Sequence, residues 1–269
     1  MSKTFEALKR AQEDKGLKVN IPALTSPAEE RETILFPVDV PPRPRVLRAP
    51  AQLPKFKVIS STVEEFQRIK YRITHLAPNL IIKTILFCSP SRREGNSTVL
   101  LNFSQTLAAE GSKVLLIDAN LRDPELHKAF HLQRQNGLTE LVSEESPRRD
   151  FDHFIKETSL ENLYVITGGS PHPNPGSVLE SDYFGTLLDQ LKFQWDWVLI
   201  DSPAITSYSD SNAVASKVDG IILVIQAEKT RWQVGQEIRE RLENCGGRIL
   251  GVILNKRRFP IPAWVYKSL

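Results

Sequence analysis

Hydrophobic residues in the middle of the chain fall into short continuous runs, and the longer segments between the runs repeat their hydrophobic positions at helical spacing. Short continuous runs rich in Val, Ile and Leu are typical of strands buried on both faces of a parallel sheet. The predicted strands are residues 83–87, 113–117, 163–167, 197–200, 220–226 and 248–254. The predicted helices between them are residues 97–110, 137–142, 176–193, 210–216 and 230–244. This alternation predicts an α/β fold with a doubly wound, mostly parallel sheet flanked by helices.

The two ends of the chain differ from this pattern. Residues 2–14 predict a short amphipathic helix, and the eight prolines between residues 19 and 56 predict a semi-extended linker. The linker is either a solvated tether or a peptide ligand for a groove on a partner. A further helix is predicted at residues 61–76, with an apolar stripe of Phe66, Ile69, Ile73 and Leu76. We therefore divide the chain into an amino-terminal helix and linker (1–56), an α/β domain (57–255) and a basic, aromatic tail (256–269).

Composition and charge narrow the function. The net charge of +3 is too small to indicate nucleic-acid binding. The two cysteines, Cys88 and Cys245, lie far apart and form no metal-binding motif, which favours a reducing, cytoplasmic compartment. No apolar run reaches the roughly 18–20 residues of a membrane span. If the protein acts at the inner face of a membrane, we expect it to be recruited there.

Three predicted strands end in residues that suit phosphate or metal binding. The first strand leads into a polar loop that ends in Gly95-Asn96-Ser97-Thr98, and a helix follows at once. In this setting, backbone N–H groups at the start of the helix can bind phosphate. Asp118 and Asp201 each follow an apolar run, and a carboxylate at such a strand end can hold Mg²⁺ against a nucleotide. Ligands bind at this edge of doubly wound sheets, so the three strand ends form the candidate site.

These motifs resemble the Walker A, Walker A′ and Walker B motifs of the bacterial tyrosine kinases (BY-kinases) of capsule and exopolysaccharide synthesis. The matching stretches are Arg92-Arg93-Glu94-Gly95-Asn96-Ser97-Thr98, Asp118-Ala119-Asn120-Leu121-Arg122 and Asp201-Ser202-Pro203. Further segments resemble the family in the same order, at residues 1–11, 121–130, 168–175, 218–220 and 251–255. The family belongs to the MinD/ParA-like branch of P-loop proteins, so the resemblance implies that fold.

The resemblance also implies ATP and Mg²⁺ as cofactors and assigns residue roles. Asp118 and Asp201 would be catalytic if the protein is active, and with Ser97 they would hold the metal. The oligomerisation motif of the family corresponds to Glu64, Gln67 and Lys70, which implies a homo-oligomer. The implied partner is a transmembrane polysaccharide co-polymerase or an active BY-kinase paralogue. The nucleotide-binding candidates are Arg93, Glu94, Gly95, Asn96, Ser97, Thr98, Asn120, Arg122 and Asn255.

The functional prediction depends on the positions at which the sequence departs from the family pattern. Asn96 replaces the Walker A lysine, Asn120 replaces the second aspartate of Walker A′, and Arg93 replaces a glycine. Loss of one charge-assisted contact costs roughly 1.5–3 kcal/mol, hence about ten- to a hundredfold in affinity. Gln67 and Lys70 replace the two arginines of the oligomerisation motif, so the motif is weakened and we expect weaker ring assembly. The tail carries one tyrosine, Tyr266, where many relatives carry a cluster.

Three functions follow. The first is a regulatory relative of the BY-kinases with weak or absent ATP-Mg²⁺ binding. The second is an active tyrosine autokinase or ATPase in which Arg92 or Arg93 replaces the lysine. The third is a membrane-surface switch resembling MinD. The aromatic residues of the tail either contact a membrane interface or pack on the domain's own surface.

Overall fold

A computed structural model of the chain describes residues 60–75, 81–143, 151–208 and 210–257. The predicted amino-terminal helix, the proline-rich linker and the tail beyond Arg257 lie outside the described residues. Within them, no helix is long and apolar enough to cross a membrane.

Seven strands form one sheet, in the order β3-β4-β2-β5-β1-β6-β7. Every pairing is parallel except that of β3 with β4, which is antiparallel. The six predicted strands are confirmed to within one residue at each end, whereas the two-residue strand β3 was not predicted. The strands are β1 (Thr84–Cys88), β2 (Val114–Asp118), β3 (Lys156–Glu157), β4 (Leu163–Ile166), β5 (Trp197–Asp201), β6 (Gly220–Gln226) and β7 (Ile249–Asn255).

Eight α-helices and one 3-10 turn, Phe151–Phe154, accompany the described strands. The helix predicted at residues 176–193 is two helices, α5 and α6, because Ser181 breaks it: the Ser181 hydroxyl accepts a bond from the Phe184 N–H at 3.2 Å and caps the second helix. The short α3 was not predicted. The helices are α1 (Ser60–His75), α2 (Asn96–Ala109), α3 (Leu126–Ala129), α4 (Leu138–Ser143), α5 (Pro175–Glu180), α6 (Asp182–Gln194), α7 (Asp210–Ala215) and α8 (Trp232–Asn244).

The sheet has a hydrophobic core on each face, which explains why its central strands read as continuous apolar runs. Successive side chains of a strand point to opposite faces, so both sets are buried here. Leu86 of β1 packs with α5, α6 and α7, whereas Ile85 and Phe87 pack on the other face with α2. Phe66, Ile69 and Ile73 of the predicted stripe join this second core, and Leu76 lies outside the described residues. Phe66 contacts Phe103 there, at 6.1 Å between ring centroids.

The strand order brings the three candidate strand ends together. β5 lies between β2 and β1 at the centre of the sheet. Asp118 is opposite Asp201 in the β2–β5 register, and Phe87 is opposite Asp201 in the β1–β5 register. The phosphate-loop candidate and both aspartates therefore meet at the carboxyl ends of the central strands, as the sequence predicted.

Candidate nucleotide site

The loop between β1 and α2 has two residues in the left-handed region of backbone space. Gly95 has φ of 96°, and a β-carbon there would lie 2.2 Å from Nδ2 of Asn255, so the position requires glycine. Arg93 has φ of 64°, which a residue with a side chain adopts at a cost of about 1–2 kcal/mol. Arg93 therefore adopts a backbone conformation that favours glycine, at a position where the family pattern has glycine.

Asn96, which stands in the place of the lysine, uses its side chain inside the protein. It is 7% exposed, and its Nδ2 donates to the Phe87 carbonyl at 2.9 Å and to Oδ1 of Asp201 at 2.7 Å. Its Oδ1 is buried and has no partner. Asn96 thus joins the start of α2 to the ends of β1 and β5, and it brings no positive charge to the site.

Ser97 and the two aspartates form an acidic, oxygen-rich cluster beneath the loop. The Ser97 hydroxyl donates to Oδ2 of Asp201 at 2.6 Å. Asp118 accepts bonds from the backbone N–H groups of Leu126 at 3.0 Å and Asn120 at 3.3 Å. Hydroxyl and carboxylate oxygens are the ligands that Mg²⁺ prefers, so this cluster fits a magnesium ion.

Burial perturbs both aspartates. Desolvation, followed by repulsion from Asp201, raises the pKa of Asp118 well above its ordinary value. Desolvation also raises the pKa of Asp201 to about 7, against the bonds from Ser97 and Asn96, which lower it. A cation at this position would relieve the repulsion, and buried carboxyls of this kind are candidates for function.

A second set of contacts joins the loop to residues at and just after the ends of β6 and β7. The carboxylate of Glu94, 1% exposed, accepts from the Gln226 N–H at 3.1 Å and from the Thr230 hydroxyl at 2.7 Å. Nδ2 of Asn255 donates to the Glu94 carbonyl at 2.9 Å, and Nζ of Lys256 donates to the Arg93 carbonyl at 2.5 Å. The side chain of Glu94 thus joins the loop to β6 and Thr230, and that of Asn255 joins β7 to the loop. Neither residue is part of the lining of the cleft described next, and their predicted binding of nucleotide stays a prediction.

A polar cleft of about 890 Å³ lies in front of the loop. Two of the cationic side chains that line it have acidic partners: Arg92 pairs with Asp123, and Arg122 forms two bonds to Asp210, at 2.8 and 3.1 Å. Seven of the nine nucleotide-binding candidates line it, namely Arg93, Gly95, Asn96, Ser97, Thr98, Asn120 and Arg122. The structure brings most of the predicted site together.

The predicted oligomerisation residues lie on α1, away from the cleft. Glu64 is exposed, whereas Gln67 and Lys70 donate to the carboxylate of Glu110 at 2.9 and 2.6 Å. Glu110 is the residue after α2, so these two side chains join α1 to α2 within the chain. Their predicted role between subunits stays a prediction.

Sequence reasoning missed several residues of the cleft. Tyr208 lies under the Arg122 guanidinium, 4.2 Å from the ring centroid, and Asp210 anchors the same arginine. Asn120 donates from Nδ2 to the Asp123 carbonyl at 2.8 Å. Arg122 and Asp210 are 88 positions apart, so their pairing has no local sequence signal. Lys256 did have one, because it directly follows Asn255 at a strand end.

Comparisons with known proteins identify the relatives of this chain. Residues 93–245 match a family described as AAA domain. The chain is 32% identical to the tyrosine-protein kinase CpsD of Streptococcus agalactiae, over 75% of this chain and 86% of the relative. It is 31% identical to the tyrosine-protein kinase YwqD of Bacillus subtilis, over 72% of this chain and 81% of the relative.

Solved structures give the same result. The kinase domain of the Escherichia coli tyrosine kinase ETK has a TM-score of 0.69 and 25% identity, over 76% of this chain and 80% of that one. The chimerical protein CapA2B2 has a TM-score of 0.66 and 29% identity, over 73% of this chain and 85% of that one. The cell division ATPase MinD of Pyrococcus furiosus, 24% identical over 69% of this chain and 78% of its own, shares the fold with a TM-score of 0.56.

Proposed function

The chain belongs to the bacterial tyrosine-kinase (BY-kinase) family of P-loop proteins, and we propose that it is a catalytically degenerate member. In this proposal it is a pseudokinase that regulates or scaffolds the polymerisation and export of an exopolysaccharide or capsule. It acts at the inner face of the plasma membrane.

The contacts of Asn96 support this proposal most strongly. A P-loop lysine reaches the β- and γ-phosphates, and phosphoryl transfer depends almost wholly on such positioning and charge stabilisation. Asn96 is neutral, and its amide nitrogen is already bonded to Phe87 and Asp201. The substitution therefore removes the cation that would stabilise negative charge on the transferred phosphoryl group. The bonds of Asn96 also stabilise the loop when no nucleotide is bound.

The remaining residues fit a phosphate group and a metal in part. Gly95 precedes α2 with no side chain bonded to the first N–H groups of the helix, so these donors can face an anion. Ser97, Asp118 and Asp201 would hold Mg²⁺, which supplies charge neutralisation when bound. Asn120 has lost a carboxylate near this metal and instead fixes the loop before α3 through the Asp123 carbonyl. The backbone cradle is retained, and the charges that tighten binding are reduced.

We infer that the partner is a transmembrane polysaccharide co-polymerase or an active BY-kinase paralogue. The relative solved as the chimerical protein CapA2B2 supports a protein partner, because a chimera combines parts of two proteins. The exposed Glu64 and the α1 surface around it are available for homo-oligomerisation, although Gln67 and Lys70 already bind Glu110.

An active tyrosine kinase is the second candidate, and the cleft contains an observation in its favour. Arg92, Arg93 and Lys256 line the cleft beside the loop, and an arginine can bind phosphate with two parallel bonds. Arg92 would first have to leave Asp123. A MinD-like membrane switch is the third candidate, and only the shared fold favours it.

Calorimetric titration with a non-hydrolysable ATP analogue and Mg²⁺ tests the proposal. We expect weak or undetectable binding to the wild type, and tighter binding, by about tenfold or more, to the double variant Asn96→Lys, Asn120→Asp. The double variant Asn102→Lys, Asn120→Asp is the matched control, because it makes the same changes in charge but places the lysine at a residue of α2 outside the cleft lining. Wild-type affinity in the micromolar range would contradict the proposal.

A further inference from the structure

The edge strand β7 presents backbone and side-chain groups that the described part of the chain leaves uncovered. β7 pairs with β6 and with no other described strand. Val252 and Leu254 are 58% and 57% exposed, although Leu223, opposite Val252 on β6, is buried and Ile225, opposite Leu254, is partly buried. A long, exposed apolar edge strand is a pairing surface, and proteins usually cover it.

The hydrogen bonds at the end of β7 show which of its backbone groups face outward. The Asn255 carbonyl accepts from the Ala227 N–H at 2.8 Å, so Asn255 faces β6. Because successive residues of a strand direct their N–H and C=O groups to opposite edges, Ile253 also faces β6. Val252 and Leu254 therefore direct their backbone N–H and C=O groups to the free edge of β7.

The chain turns immediately after β7. Lys256 has φ of 56°, in the left-handed region typical of tight turns, and its N–H donates to the side chain of Asn255 at 2.8 Å. The sequence then continues with Arg258-Phe259-Pro260-Ile261-Pro262. The segment that follows the turn thus begins within a few residues of the uncovered edge.

The spacing of the two prolines allows the segment to pair with β7 in only one way. Proline lacks an N–H, and in a sheet it is confined to positions whose N–H would face away from the neighbouring strand. Pro260 and Pro262 are two residues apart, so they would face the same side. If they face solvent, Phe259 and Ile261 direct their N–H groups to β7.

We propose that residues 259–262 add to β7 as an antiparallel edge strand, with Leu254 opposite Phe259 and Val252 opposite Ile261. Directly opposite residues lie on the same face of a sheet, so the two exposed aliphatic side chains become covered by Phe259 and Ile261. The four intervening residues, 255–258, form a hairpin loop of ordinary length. The prolines then occupy the new outer edge and stop further pairing.

This pairing would act on the candidate site through the end of β7. Asn255 and Lys256 bind the backbone carbonyls of Glu94 and Arg93 in the phosphate loop. An ordered hairpin holds these two residues in place, and so it holds the loop from behind. This inference does not depend on whether the protein has kinase activity.

Residue-resolved amide hydrogen exchange of the full chain tests the proposal. We expect the Val252 and Leu254 amides to exchange about tenfold or more slowly in the wild type than in Ile261→Pro, which removes an inward donor. Pro262→Ile changes an outward position and should keep the protection. The Ile253 amide, which faces β6, should be unaffected by either substitution.

Light scattering and vesicle flotation complete the test. Equal exchange at Val252 and Leu254 in the wild type and Ile261→Pro would overturn the proposal. Protection that appears only in a dimer would assign the strand to a second copy, and protection that requires anionic vesicles would assign the tail to a membrane. Either result would also overturn it, whereas protection in a monomer without lipid supports it.

Discussion

Replacement of Asn96 by alanine tests whether this residue has become a structural part of the loop. The variant loses the bond to the Phe87 carbonyl and the bond to the Asp201 carboxylate. A neutral bond contributes about 1 kcal/mol and a bond to a charged group about 1.5–3 kcal/mol. The variant also removes the buried, unpartnered Oδ1 of Asn96, which offsets roughly 1 kcal/mol of the loss.

The net cost is therefore about 1.5–3 kcal/mol, which corresponds to a fall in Tm of roughly 3–12 °C for a domain of this size. Urea unfolding followed by circular dichroism measures it at pH 7.5, and an unchanged m-value would show that the variant unfolds from a comparable state. Asn102→Ala is the matched control, because Asn102 is on the same helix and its Nδ2 makes one exposed bond to the Thr98 carbonyl. If Asn96→Ala costs no more than Asn102→Ala, the inward role of Asn96 is refuted.

Three further predictions concern Glu94, the Arg122–Asp210 pair and Glu140. Glu94→Gln should cost about 1–3 kcal/mol in urea unfolding, because one of the two accepting oxygens becomes an NH2 group that cannot accept a bond. A loss below about 0.5 kcal/mol would contradict the support role. A double-mutant cycle of Arg122→Lys and Asp210→Asn should give a coupling energy of about 0.5–3 kcal/mol, since the bidentate pair is lost, and additive losses would argue against it. Burial raises the pKa of Glu140, but hydrogen bonds, first among them that from the Ser170 hydroxyl, lower the pKa from 4.5 to about 2. The stabilisation of the fold by ionised Glu140 is therefore complete above pH 4.5 and is lost as the pH falls towards 2. Urea unfolding of Glu140→Gln should thus show a deficit at pH 6 that shrinks at low pH, and a deficit independent of pH would refute this reasoning.

The sequence predicted the sheet well because its strands carry a strong physical signal. Strands buried on both faces need continuous apolar runs, and six such runs were found to within one residue. The position of Asp118 and Asp201 at the strand ends followed from the same runs. The sequence failed where the signal is weak: β3 has two residues, and α3 has four.

The contacts of the site were less predictable than its location. Nothing local indicates that Asn96 bonds to Asp201, 105 positions away, or that Glu94 reaches Gln226 and Thr230. Motif resemblance assigned Glu94 and Asn255 to the nucleotide, and it did not predict the bonds by which their side chains hold the loop. Arg93 replaces a glycine of the family pattern, and the structure gives it the positive φ that glycine adopts most easily.

Incubation of the purified protein with labelled ATP and Mg²⁺ tests the central claim most directly. We predict no phosphate incorporation into any tyrosine beyond that of the Asp118→Asn variant. An intact relative assayed in parallel confirms that the conditions support transfer. Incorporation into a tyrosine of the wild type that Asp118→Asn abolishes would contradict the pseudokinase account and establish an active kinase.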